Sequence, residues 1–155
     1  MTSSPGIRTL HALPPDERRR CLQHIVAVLA RDPTVVFAYV FGSFVEDRPF
    51  EDIDVAVFVE PPPGARLDSL AVQLDLSARL ETAVGLPVEV VVLNTAPLGV
   101  RRAALRGQLL WSRDDARRIA LLEGTSHELM DMAFLGREAL QDLLGIRPVH
   151  SEPSR

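Results

Sequence analysis

Val35-Val36-Phe37-Ala38-Tyr39-Val40-Phe41-Gly42-Ser43, then eight residues, then Asp52-Ile53-Asp54-Val55-Ala56-Val57-Phe58-Val59: the reading of this stretch decides the fold. Both apolar runs are rich in β-branched and aromatic residues, the side chains that fit a pleated, buried surface, so each reads as a core strand. A Gly-Ser pair closes the first strand and an Asp-x-Asp opens the second. The residues able to do chemistry therefore collect where two buried strands meet.

Alternate residues of a strand share a face, so Asp52 and Asp54 project to one side with Cα atoms roughly 6 to 7 Å apart, while Ile53 turns into the core. Two ionised carboxylates at about 6 Å repel by about 3 kcal/mol at an effective dielectric near 20, a cost that a cation must offset. Hard oxygen ligands suit Mg²⁺ or Mn²⁺, and Mg²⁺ takes substrate phosphate oxygens to complete its octahedron. A nucleoside triphosphate supplies them. Gly42 lets the backbone turn sharply and approach an anion, and Ser43 adds a hydroxyl and an N–H as donors. A second metal position calls for a third carboxylate. Glu89 is the candidate, because it interrupts the apolar run Pro87-Val88-Glu89-Val90-Val91-Val92-Leu93, where an acid is costly unless paired or metal-bound. Taken singly, each feature has a plainer reading: a solvated strand end for Asp-x-Asp, and the solvent face of an edge strand for Glu89. Their order along the chain favours a site.

The order of elements is strand, Gly-Ser, short hairpin, Asp-x-Asp strand, helix and acid-bearing strand. In this the chain resembles the minimal nucleotidyltransferase antitoxins of the DNA polymerase β-like superfamily. Phe41-Gly42-Ser43, Asp52-Ile53-Asp54-Val55-Ala56-Val57 and Val88-Glu89-Val90-Val91-Val92-Leu93-Asn94 carry the resemblance, which extends more weakly through Arg106-Gly107-Gln108-Leu109-Leu110-Trp111. It implies an α/β (α+β) fold of polymerase β-like type, a mixed sheet with helices packed on it and a C-terminal helical extension. It assigns triphosphate binding to Gly42 and Ser43, and metal binding and catalysis to Asp52, Asp54 and Glu89. Three departures stand out. Eight residues rather than ten separate Ser43 from Asp52, Phe44 occupies a position where relatives often have arginine, and Glu89 replaces the usual Asp. Arg48 is then the cation left in the loop to meet phosphate, beside Glu46 and Asp47.

The function implied is transfer of AMP from ATP to a protein hydroxyl, with a HEPN-type RNase toxin as partner. Two alternatives remain open: a module of this fold that neutralises a toxin by binding alone, and an enzyme that nucleotidylates a small molecule such as an antibiotic.

Composition narrows the field. A chain of 155 residues has about one domain's worth of core, and a net charge of −4 with a pI near 5.5 does not fit a nucleic-acid binder. The sequence contains no lysine, so Schiff-base and P-loop lysine chemistry are excluded and arginine must supply any phosphate clamp. Cys21, the single cysteine, permits no intrachain disulfide and is expected on the buried face of a helix. No run approaches the length of a membrane span and Met1 to Leu13 lacks a signal-like apolar core, so a cytoplasmic location is expected. The four histidines are dispersed and read as surface or packing residues.

The nucleotidyltransferase domain is expected over 15–112 and the helical extension over 113–145, with flexible tails at 1–13 and 148–155. Leu22, Ile25, Val26 and Leu29 mark a first helix that ends before Asp32-Pro33. A crossover helix is expected over about 68–84, a return that makes a parallel neighbour possible for the Glu89 strand. A short helix should follow Asn94-Thr95-Ala96-Pro97, with Arg101, Arg102 and Arg106 on it as a solvated face or a phosphate contact. Ser112-x-x-Asp115 resembles a capping box for the last helix, with relief at Gly124-Thr125. Ile119, Leu122, Leu129, Met132, Ala133, Leu140 and Leu144 form a stripe along it that reads as core, with length to spare for a second protein.

Overall fold

A computed structural model describes residues 8–145 of the chain. Eight elements follow one another: α1 (Pro15–Ala30), β1 (Val35–Phe41), β2 (Ile53–Val59), α2 (Ser69–Val84), β3 (Val88–Val92), α3 (Leu98–Leu105), β4 (Gln108–Ser112) and α4 (Asp115–Leu144). The sheet order is β3-β2-β1-β4. β1 pairs antiparallel with both β2 and β4, whereas β2 and β3 run parallel because α2 carries the chain back across the sheet. The sheet is mixed, as the sequence leads one to expect.

Strand alternation divides the core in two. Ile53, Val55, Val57 and Val59 of β2, with Val88, Val90 and Val92 of β3, face α1 and α2, where Cys21, Ile25, Leu29, Leu76 and Leu80 cover them. The opposite face presents Phe37, Tyr39, Phe41, Ala56 and Phe58 to Ala104 and Leu105 of α3 and to Leu121 of α4. Phe37 and Phe58 stack there with centroids 5.0 Å apart. Burial raises the Cys21 thiol pKa and leaves it a packing residue.

Local chemistry sets the ends of the elements. Pro15 opens α1 at a position whose N–H would be unpaired in any case, with Asp16 and Glu17 in the first turn. Asp68 caps α2 by accepting from Ala71 N at 3.1 Å, and Gly85 closes it in the left-handed region at φ 72°. The Glu81 carboxylate then accepts from Val88 N at 3.1 Å, which seats the start of β3. At the other end of β3 the Asn94 amide bridges both backbone groups of Val59, at 3.0 and 2.8 Å. The parallel pair is thus pinned at both ends, and Glu89 is held in register.

The elements depart from the sequence expectations in several places. Asp52 lies one residue before β2 rather than on it. The α4 cap is Asp114, which accepts from Arg117 N at 3.2 Å, and not Ser112, which is still part of β4. α4 runs through Gly124-Thr125 without a break, and Thr125 is its one buried residue. The stripe on α4 is mostly not core: Ile119, Met132, Leu140 and Leu144 are 46 to 62% exposed. A helix of 30 residues is about 45 Å long, whereas strands of five to seven residues span roughly 17 to 24 Å, so α4 outruns the sheet it packs on.

Of the expected N-terminal tail, residues 1–7 lie outside the described residues, as does the tail expected over 148–155. Within 8–13, His11 exchanges backbone hydrogen bonds with Phe50 at 2.7 and 3.0 Å, so that stretch is anchored. No described helix is long and apolar enough to cross a membrane.

Candidate active site

The strand register builds the site. Phe41 lies opposite Asp54 on the antiparallel side, and Asp54 lies opposite Glu89 on the parallel side. Asp54 shares a face with Ala56 and Phe58, and Glu89 alternates with Val88 and Val90, so both carboxylates belong to the α3 face of the sheet. Asp52, two residues ahead of Asp54, reaches the same point. One carboxylate oxygen from each of Asp52, Asp54 and Glu89 lies within 4.8 Å of the others. Asp52 and Asp54 are half-buried and Glu89 is exposed on the edge strand. Glu89 is thus on the solvent face of an edge strand, as its plain reading has it, and within reach of both aspartates.

Electrostatics shows what this cluster lacks. Burial of Asp54, followed by the charges of Asp52 and Glu89 and a hydrogen bond shared with Glu89, pushes its pKa up to about 7. An acid that resists ionisation beside two other acids is stabilised by a divalent cation among them. The donor set is all carboxylate oxygen, which suits a hard cation.

Gly42 proves more constrained than its sequence context suggests. Its φ is 77°, in the left-handed region, and a Cβ built on it would sit 2.3 Å from Asp54 Oδ2. The anion it approaches is therefore the protein's own Asp54 carboxylate. Glycine suits both, since the turn needs a positive φ and a larger residue would push the Asp54 carboxylate aside.

After Gly42 the chain winds into a compact turn rather than an open hairpin. Gly42 O accepts from Val45 N at 3.2 Å and from Glu46 N at 3.4 Å, and Ser43 O accepts from Arg48 N at 3.3 Å. Among the described residues, the N–H groups of Ser43 and Phe44 have no protein acceptor. Phe44, which departs from the family at the position often held by arginine, is 3% exposed and packs edge-on to Phe50 with centroids 4.9 Å apart. The position has become part of the core. Arg48 is exposed, and its guanidinium donates to Glu46 of the same turn.

The arginines of α3 divide. Arg101 forms a two-pronged pair with Glu128 of α4, at 3.2 and 2.7 Å, and donates to Ala96 O. Arg102 and Arg106 line a cavity of about 550 Å³ between α3 and α4, with Leu105, Leu122 and Leu129. Gly107, next in the chain, packs so closely on β1 that a Cβ would meet Val40 O at 2.2 Å.

The sequence profile described as "Polymerase beta, Nucleotidyltransferase" matches residues 23–116, which span β1, the carboxylate triad and β4. The chain belongs to this nucleotidyltransferase family. No curated protein matches the sequence. Solved structures share the fold. A chain of the complex between tri-AMPylated Shewanella oneidensis HEPN toxin and MNT antitoxin superposes with a TM-score of 0.60 at 20% identity, covering 82% of this chain and 98% of that one. A chain of a toxin-antitoxin complex with AMP-PNP gives 0.61 at 20% identity, over 79% of this chain and 98% of that one. The toxin-antitoxin pair MntA-HepT gives 0.59 at 20% identity, over 81% and 98%. At such identity these likenesses establish the architecture of this member of the family.

One residue that the sequence motifs passed over belongs with the site. Arg18 stands at helical spacing with Cys21, Leu22 and Ile25, on the face of α1 that is buried, and its side chain is 13% exposed. An arginine at an apolar-face position was the signal for it.

Proposed function

We propose that this protein transfers AMP from ATP to a hydroxyl on a partner protein in the cytoplasm, using Mg²⁺ or Mn²⁺, and that the acceptor is a HEPN-type toxin that the transfer silences. The observation that carries the chemistry is the triad itself: three carboxylates within 4.8 Å on one face of the sheet, with Gly42 against one of them. Asp52, Asp54 and Glu89 would hold the metal. When bound, such a cation neutralises the triphosphate, aligns the α-phosphorus for in-line attack and lowers the pKa of the acceptor hydroxyl.

The remaining work falls to the chain. The unpartnered N–H groups of Ser43 and Phe44 and the Ser43 hydroxyl are donors for the distal phosphates. The acceptor oxygen bonds to the α-phosphorus, the bond from that phosphorus to the bridging oxygen breaks, and pyrophosphate departs with the electron pair. The hydroxyl proton passes to a carboxylate of the triad, whose members a bound cation would keep ionised, Asp54 included, although burial and its acidic neighbours otherwise raise its pKa to about 7. Arg48 contributes to phosphate binding only by leaving Glu46. The acceptor class and the adenine base are suggested by the solved toxin-antitoxin complexes of the same fold, one with AMP-PNP.

The exposed apolar end of α4, with Met130, Phe134, Leu135 and Leu143 each at least 59% exposed, favours one second reading. In that reading the protein masks a toxin by contact without chemistry. Intact-mass measurement of a HEPN protein encoded beside this one separates the two, after incubation with ATP, Mg²⁺ and either wild type or Asp54→Asn. A gain of AMP units that needs Asp54 supports transfer. A stable complex with no mass change, neutralised equally by Asp54→Asn, supports masking.

A further inference from the structure

We infer that Arg18 is the positioning residue of the phosphate-binding turn, an inference that rests on the nucleotide-binding reading above. Three backbone carbonyls, one ahead of α1 and two in the turn, converge on this one guanidinium. Nε donates to Leu13 O at 3.0 Å, one terminal nitrogen donates to Phe44 O, and the other donates to Arg48 O at 3.3 Å. Its carbon also lies 5.2 Å from the Phe44 ring centroid and 5.7 Å from that of Phe50. Asp47, held at φ 57°, adds an ion pair at 3.5 Å.

This arrangement answers a mechanical problem set by the sequence. The turn that follows Gly42-Ser43 contains only acidic or apolar residues between Ser43 and Arg48, and Arg48 is turned to Glu46. From the turn itself, buried Phe44 and partly buried Val45 anchor it by packing on the core, and Phe50 does so just after it. Arg18 does so from α1, fixing the carbonyls at both ends of the turn and leaving the N–H groups of Ser43 and Phe44 uncommitted. Lysine cannot replace it, because a single ammonium lacks the planar fork that reaches three acceptors in different directions. The residue touches no substrate. It acts through the position of Ser43 and Phe44, and supporting residues of this kind typically change affinity or activity about 10- to 100-fold when altered.

The test is calorimetric titration of the full chain with Mg²⁺ and AMP-PNP, for wild type, Arg18→Lys and Arg18→Met, with exposed Arg19→Lys as control. Folding is checked by circular dichroism. Affinity should fall about 10- to 100-fold in both Arg18 variants, stay unchanged in Arg19→Lys, and recover in part for Arg18→Met when a low concentration of guanidinium ion is added. Amide exchange of the wild type should show protection at 43–48 on nucleotide binding. Folded Arg18→Lys that binds as wild type does would overturn the inference, as would exchange at 43–48 that the nucleotide leaves unchanged. A wild type that binds no nucleotide would instead overturn the functional reading, and this inference with it.

Discussion

Replacing Gly42 by alanine separates two costs that the structure places on the same atom. The first is backbone strain: φ is 77°, and a side chain in the left-handed region costs about 1 to 2 kcal/mol. The second is a collision, since the new Cβ would stand 2.3 Å from Asp54 Oδ2 where ordinary contact begins at 3.4 Å. The carboxylate, the peptide or both must retreat by about 1 Å, and a displacement of that size at a reacting centre costs roughly 100-fold in rate. Gly64 supplies the control, because its φ is 81° and nothing lies within 4 Å of a Cβ built there. Gly64→Ala should lower Tm by about 2 to 8 °C through strain alone and leave chemistry untouched. Gly42→Ala should lose at least as much stability and also lose transfer to the partner roughly 100-fold. The assay is thermal melting of both variants beside a time course of AMP incorporation. If Gly42→Ala transfers at the wild-type rate while melting like Gly64→Ala, the close approach of Gly42 to Asp54 has no catalytic meaning and the reasoning fails.

Further outcomes follow from the same geometry. Asp54 carries a pKa raised from 3.8 to about 7, so it holds its proton more tightly folded than unfolded; metal-free protein should lose stability as pH rises from about 4 to 7. Melting curves across that range should show the loss, Asp54→Asn should flatten it, and Mg²⁺ or Mn²⁺ should reverse it at pH 7 and above. A metal-free protein whose Tm rises through the same window would contradict the assignment. Phe44→Arg, which restores the residue frequent in the family, should destabilise by about 3 kcal/mol or more in urea unfolding, because it puts a charge at a 3% exposed site beside Arg18. Leu80→Ala, at a fully buried position between α2 and the sheet, should cost about 2 to 5 kcal/mol with no selective effect on nucleotide affinity.

Much of this protein can be read from the chain because its signals are local. The β-branched runs at 35–41 and 53–59, the Gly85 stop and the leucine spacing of α2 each depend on neighbours within a few residues, and the elements formed where expected. The helical crossover made a parallel return of Glu89 possible, and the pairing of β3 with β2 realises it. The α4 cap was misplaced because Ser112 and Asp114 are both competent caps, and β4 pairing with β1 claimed Ser112 first. The α4 stripe was misread as core because periodicity reports that a helix has an apolar face, not whether anything covers it.

Sequence by itself therefore determined the elements, their order, the family and the three acids, since residue type and spacing specify those directly. Tertiary structure alone decided that the acids meet within 4.8 Å, that Gly42 abuts Asp54, and that Phe44 is buried with Arg18 bonded to the turn. Those facts depend on strand register and on contacts between elements, such as Arg18 with Phe44, 26 residues apart in the chain, and such contacts are set by packing rather than by local pattern.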